Sequence, residues 1–220
     1  DGVDFRDHYG WVFYQRKVTV PSYMRSQRLV LRMAAVTHIG KVYLNGKLVC
    51  EHKGGFLPFE AEINDFLIDG ENLLTIAVDN RIDHSTLPVG SESGGGVLSG
   101  GGLFAWKSKK PKNNPNFDFF NYCGITRPVK LYTTPKDYIA DVSLDAQLDG
   151  NRALVSYQVE TVGTGNVHIE IWSREGEKVA EAEGKEGKLI IEHVHLWQPL
   201  HAYLYEVKVT FGEDSYNLPY

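Results

Sequence analysis

The sequence predicts an all-β chain made of two sandwich-like domains. Three observations carry that expectation. Apolar and β-branched residues alternate with polar ones at a period of two through most of the 220 residues. Asn, Gly and Pro punctuate the alternation at short intervals, the spacing expected of a β-sandwich or barrel. No stretch long enough for an ordinary helix repeats with a period of about 3.6.

The elements follow in order. Residues 11–20 (WVFYQRKVTV) are aromatic and β-branched, and Pro21 stops them. Residues 28–36 (RLVLRMAAV) form the next run. Residues 41–44 and 47–50 flank Asn45-Gly46, the pair that a type I′ hairpin favours because both central residues need φ > 0. Residues 72–78 (NLLTIAV) and 127–133 (RPVKLYT) continue the pattern. The first block ends at Thr134-Pro135-Lys136, which places a domain boundary near Pro135: 1–135, then 136–220. The second block offers strands at 139–148, 153–161, 167–173, 188–192 and 203–211, with Gly150 and Gly163-Thr164-Gly165 where turns belong. About seven short strands in that length fit an immunoglobulin-like sandwich.

Residues 88–116 interrupt the alternation. Residues 91–102 are glycine-rich and 107–116 (KSKKPKNNPN) are basic. So long a loop is functional or disordered. The glycines have no Gly-Lys-Ser/Thr continuation, so they make no phosphate loop. The basic run reads as a solvated loop, or as an aid in steering an anionic substrate.

Composition narrows the function. Hydrophobic residues are 42% and aromatics 12%, enough for a packed core. A net charge of −5 does not suit a nucleic-acid binder, and no apolar run is long enough for a membrane span. Cys50 and Cys123 read as two buried free thiols, neither a disulfide framework nor a metal site. No metal and no cofactor are expected. The chain starts at Asp1, as a trimmed fragment would, and the missing leader carries little meaning. It has no Asn-x-Ser/Thr sequon, which disfavours a glycosylated secretory protein.

Candidate chemistry is sparse. There is no Gly-x-Ser-x-Gly for a nucleophilic serine. His8, His38, His52 and His84 are scattered, and His193 and His195 read as alternate residues of a strand. A glycosidase needs two carboxyl groups roughly 5–10 Å apart. Glu60 and Glu62 lie two apart on one strand face, and solvated carboxylates are their simpler reading. The unusual segment is 117–124 (FDFFNYCG), with a single Asp among aromatics. Asp118 caps a turn there, or it aims a carboxylate at a sugar hydroxyl from an aromatic ledge. Charge-assisted O–H···O⁻ bonds suit the second role.

Several stretches then add up. Tyr14-Gln15-Arg16, residues 36–42 (VTHIGKV), 52–60 (HKGGFLPFE), 117–127 (FDFFNYCGITR), 131–135 (LYTTP), 196–199 (LWQP) and 203–205 (YLY) occur in order along the chain. Together they resemble the N-terminal part of the β-glucuronidases of glycoside hydrolase family 2. That resemblance implies a jelly-roll sugar-binding domain followed by an immunoglobulin-like one. It implies a catalytic (β/α)₈ barrel lying beyond this chain, which holds the acid/base and nucleophile glutamates of a retaining mechanism. No catalytic residue is then expected here. Asp118 is expected to bind a substrate hydroxyl, and Cys123 stands where the family usually has Ala. The implied partners are a β-glucuronide, the parent's own barrel and further copies in a homo-oligomer, with no nucleic acid and no membrane. The implied location is cytoplasmic, of the bacterial type. The rival reading is a free-standing carbohydrate-binding module or interaction domain.

Overall fold

The computed structural model describes residues 8–92, 113–115 and 122–220. The chain divides into two compact units, residues 1–133 and 134–220. Both are built of antiparallel strands, and the one α-helix among the described residues is a single turn.

In the first unit β1 (Trp11–Thr19) is followed by the short helix α1 (Ser22–Arg25), β2 (Arg28–Met33), β3 (Val36–Thr37) and β4 (Ile39–Leu44). Then come β5 (Lys47–Lys53), β6 (Phe59–Glu62), β7 (Glu71–Asp79), β8 (Gly90–Glu92), β9 (Asn113–Pro115), β10 (Gly124–Ile125) and β11 (Val129–Thr134). One sheet has the order β1-β7-β4-β5 and another β11-β2-β6, while β10 pairs with β3 and β8 with β9. The faces meet in one core: Leu29, Leu31 and Met33 from β2 pack with Val42 and Leu44 of β4 and Ile76 and Val78 of β7. Two sheets sharing an apolar core are a sandwich.

The expected hairpin forms. Asn45 and Gly46 have φ of 53° and 80°, both positive as a type I′ turn requires. The Asn45 side chain adds hydrogen bonds to Phe66 and Asn72, and its Oδ1 accepts from the Leu73 N–H at 2.9 Å. The run expected at 28–36 is two strands rather than one. It breaks at Ala34-Ala35, where the Ala34 N–H turns to the Pro128 carbonyl at 3.1 Å and the chain leaves β11 and β6 to pair with β10.

The second unit holds β12 (Tyr138–Asp149), β13 (Arg152–Val162), β14 (Val167–Trp172), β15 (Lys178–Glu183), β16 (Glu186–Ile191), β17 (Glu206–Phe211) and β18 (Asp214–Pro219). Three strands, β12-β13-β16, face four, β15-β14-β17-β18. Alternate residues of β13, β14 and β17 supply the core: Val155, Ile169, Ile171, Val207, Val209 and Phe211 are each fully buried. That is the period-two pattern read in the sequence, one face in and one face out.

Candidate functional site

The residues that flank the Asp118 segment are held on both sides. Asp118 itself, with Phe117, Phe119 and Phe120, lies outside the described residues. On the near side β9 pairs with β8 in the register Gly90↔Pro115. Asn113 fixes this ribbon to the sandwich: its Oδ1 accepts from the Ile82 N–H at 2.9 Å and its Nδ2 donates to the Asn80 carbonyl at 2.7 Å. On the far side β10 pairs with β3 in the register Gly124↔Thr37.

Asn80 joins the two flanks. Its Oδ1 accepts from the Gly10 N–H at 2.9 Å. Its Nδ2 donates to the His8 carbonyl at 2.7 Å and to the Cys123 Sγ at 3.7 Å. Asn80 therefore touches the N-terminal approach to β1 and the Cys123 thiol on the β10 side through its side-chain amide, and the β9 side through its backbone carbonyl. Asp79, one residue earlier, is only 1% exposed and receives both Nε and Nη2 of Arg81 on its carboxylate. A buried carboxylate needs such a partner.

Three of the stretches that resemble family 2, 36–42, 52–60 and the one holding Tyr14, meet the Gly124 end of a fourth at this place. Thr37 Oγ1 donates to the Gly55 carbonyl at 2.9 Å, and the Gly54 N–H donates to the His38 carbonyl at 2.9 Å. The His38 N–H reaches the Asp79 carbonyl at 2.9 Å. A Cβ on Gly124 would stand 2.6 Å from the Tyr14 hydroxyl oxygen, and φ there is +97°, so only glycine fits. Residues 36–42, 52–60, 122–124 and Tyr14 are distant in sequence and meet around Thr37. Hydrogen bonds and strand pairing link these stretches to one another.

Other sequence candidates resolve differently. Glu60 is ion-paired to Arg32 at 2.9 Å and accepts from the Tyr132 hydroxyl at 3.0 Å, while Glu62 pairs with Arg28 at 3.3 Å. These are surface pairs on the edge strand β6, not a catalytic dyad. Cys50 is half-buried, and burial pushes its thiol above the ordinary range. Cys123 is exposed, contrary to the expectation of two buried thiols, because it sits in the extended stretch before β10 with its sulfur against Asn80. His193 and His195 are not strand residues. They belong to the irregular stretch after β16, where His193 has a positive φ of 51° and its ring meets Asn151 at 2.9 Å.

Two features were not visible in the sequence. His168, Glu170 and Glu181 bring ligand atoms within 4.8 Å of one another across β14 and β15. Lys178 already sits among them, its Nζ 2.6 Å from Glu181 and 3.4 Å from Glu170. Hydrogen bonding to that ammonium holds the Glu181 carboxyl below its ordinary range, so the cluster carries its own cation. The larger cavity, about 600 Å³, opens between β1 and β11 and is walled by core side chains such as Leu31, Ile63 and Leu131.

A two-sheet sandwich followed by a second sandwich defines a tandem all-β architecture. The family model described as "Glycosyl hydrolases family 2, sugar binding domain" matches residues 1–135, and that described as "Glycosyl hydrolases family 2" matches residues 137–218. The chain belongs to glycosyl hydrolase family 2. It is similar to the β-glucuronidase of Canis lupus familiaris, 38% identical over 242 residues, covering 97% of this chain and 35% of that protein. A β-glucuronidase of Streptococcus agalactiae serotype V is 37% identical, covering 96% of this chain and 34% of that protein. Among solved structures, the Faecalibacterium prausnitzii β-glucuronidase matches with a TM-score of 0.87 and 48% identity, covering all of this chain and 38% of that one. The Bifidobacterium dentium β-glucuronidase, complexed with coumarin-3-O-glucuronide, matches with a TM-score of 0.87 and 40% identity, covering 99% and 40%. The chain spans about a third of the length of the curated relatives it matches.

Proposed function

We propose that these 220 residues are the N-terminal, non-catalytic part of a retaining β-glucuronidase that hydrolyses β-D-glucuronides. They serve as scaffold and contribute one substrate contact, Asp118. The observation that carries this reading is the unbroken likeness to β-glucuronidases over 96–97% of the chain but only 34–35% of those proteins. The acid/base and nucleophile carboxylates then belong to a barrel encoded after residue 220. The described flanks of this segment are each held, β9 by β8 and Asn113 before it and β10 by β3 after it, and this supports Asp118 as the reaching residue. No helix among the described residues is long and apolar enough to cross a membrane. A cytoplasmic location and a homo-oligomeric parent complete the reading.

The test is turnover of a chromogenic glucuronide by the purified 220-residue chain and by the full-length parent. The parent should hydrolyse it. The chain should not exceed a buffer blank, because nothing in it protonates the leaving oxygen or forms the glycosyl intermediate. Turnover by the chain alone would overturn the assignment.

A further inference from the structure

The outer face of β14 and β15 carries a group of side chains that plays no part in the glucuronidase reading. Strand pairing sets Glu170 directly opposite Glu181, and His168 lies two residues before Glu170 on the same face. Two carboxylates opposed across an antiparallel pair repel, which costs stability unless a cation stands between them. His168 closes the group, its Nε2 3.5 Å from the Glu181 Oε2. The ligand atoms of all three residues lie within 4.8 Å of one another.

Lys178 supplies the cation here, by way of an irregularity in the strands. The register shifts between Ile171 and Trp172, so that Trp172 faces Lys178 while Ile171 faces Ala180. That bulge brings Lys178 and Glu181, three apart in sequence, to one face of the sheet. The Lys178 Nζ then meets Glu181 at 2.6 Å and Glu170 at 3.4 Å. Its position marks where positive charge settles. Yet an ammonium on a four-carbon stem is a mobile point charge, and it has no use for the lone pair of an imidazole.

We propose that His168, Glu170 and Glu181 form a divalent-metal site of the zinc class, in which the metal displaces Lys178. Zinc takes imidazole nitrogen and carboxylate oxygen at roughly 2.0–2.2 Å, so two such ligands on a tetrahedron stand roughly 3.3–3.6 Å apart. The 3.5 Å between His168 and Glu181 already matches that edge. One imidazole with two carboxylates suits zinc and the neighbouring first-row ions, whereas calcium and magnesium take shells of six or more oxygens. The Glu170 side chain is only 15% exposed and forms the inner wall, while His168 and Glu181, 39% and 52% exposed, leave the outer side open to a water as fourth ligand. The role is structural. β15 is the edge of its sheet, and a metal that bridges it to β14 clamps that edge. The site is complete within the second sandwich and needs no catalytic domain.

The experiment is calorimetric titration of the 220-residue chain with zinc chloride, repeated on His168→Gln, Glu181→Gln and Lys178→Met after each metal-free melting temperature is recorded. One binding event should weaken at least tenfold in His168→Gln and in Glu181→Gln, since loss of even a supporting partner costs roughly 10- to 100-fold. Lys178→Met keeps the apolar stem and removes the competing charge, so the same event should tighten by roughly tenfold. Zinc should raise the melting temperature of the wild-type chain and leave that of His168→Gln unchanged. Uptake that His168→Gln does not alter belongs to other histidines or thiols and overturns the proposal. A wild-type chain that takes up no zinc also overturns it, because Lys178 is then the permanent occupant. If His168→Gln melts early without metal, Lys178→Met decides the case, and zinc affinity that fails to rise there overturns the proposal.

Discussion

A carboxylate as deeply buried as Asp79 is tolerated only when it is paired. Arg81 supplies that partner while keeping its own side chain 44% exposed. Asp79→Ala should therefore cost about 1–3 kcal/mol, less than a fully buried pair because Arg81 stays hydrated. Urea denaturation measures this, and an unchanged midpoint would show the pair to be idle. A second carboxylate reports on pH. The Tyr203 hydroxyl, first, holds the Glu175 carboxyl below its ordinary value of 4.5. A depressed carboxylate contributes stability above its unfolded pKa, and that contribution is lost as pH falls through the folded value. Titration of Glu175 by carbon-13 NMR should thus lie acid of the ordinary range and move back toward it in Tyr203→Phe. At this scale the sequence was legible where the chemistry is local. Asn45-Gly46 announces its turn because φ > 0 at two successive residues is a requirement of the turn itself. The exposure of Cys123 and the turn at His193 depend on pairings with Asn80 and Asn151, more than forty positions away, and neighbours along the chain do not encode them.

Elements that alternate clearly, such as β13 and β14, could be read directly because one face is continuously apolar. Two strands of the second unit gave no such signal. β15 (KVAEAE) has only Val and Ala on its inner positions, and β18 (DSYNLP) is polar and ends in a proline. Both lie at the edges of their sheet, where half the backbone is unpaired and the pattern weakens. The break at Ala34-Ala35 was hidden for the opposite reason: its residues are all apolar, and the switch of sheet depends on Pro128. The turn at Leu200, where φ is +69° and the side chain is fully exposed, is a test at this scale. Leu200→Gly relieves a left-handed backbone costing about 1–2 kcal/mol and adds about 0.5–1 kcal/mol of unfolded-chain freedom. The 220-residue chain should gain about 0.5–1 kcal/mol by thermal or urea unfolding. A loss of stability would show that the Leu200 side chain already packs within this unit.

For the molecule as a whole, two separate apolar cores built from antiparallel strands predict a far-ultraviolet dichroism spectrum of β type, and one dominated by helix would contradict the fold. The isolated chain should bind glucuronate weakly or undetectably, because one carboxylate cannot offset the cost of immobilising a small, well-hydrated sugar. A submicromolar dissociation constant by calorimetry would favour a free-standing binding module instead. The all-β class was legible from periodicity, and the family from an ordered set of motifs, of which 36–42, 52–60 and Gly124 meet around Thr37. The role of Asp118 was not legible from the residues alone, since an Asp among aromatics serves equally as a turn cap. The most direct measurement is kcat/KM for a glucuronide, with melting temperature, for Asp118→Ala in the full-length parent. A substrate ligand donated by this segment predicts a loss of roughly 10- to 1,000-fold with the melting temperature unchanged, the effect of removing one charged hydrogen bond of about 1.5–4 kcal/mol. Unchanged kcat/KM with a melting temperature several degrees lower would make Asp118 a structural cap and contradict the account.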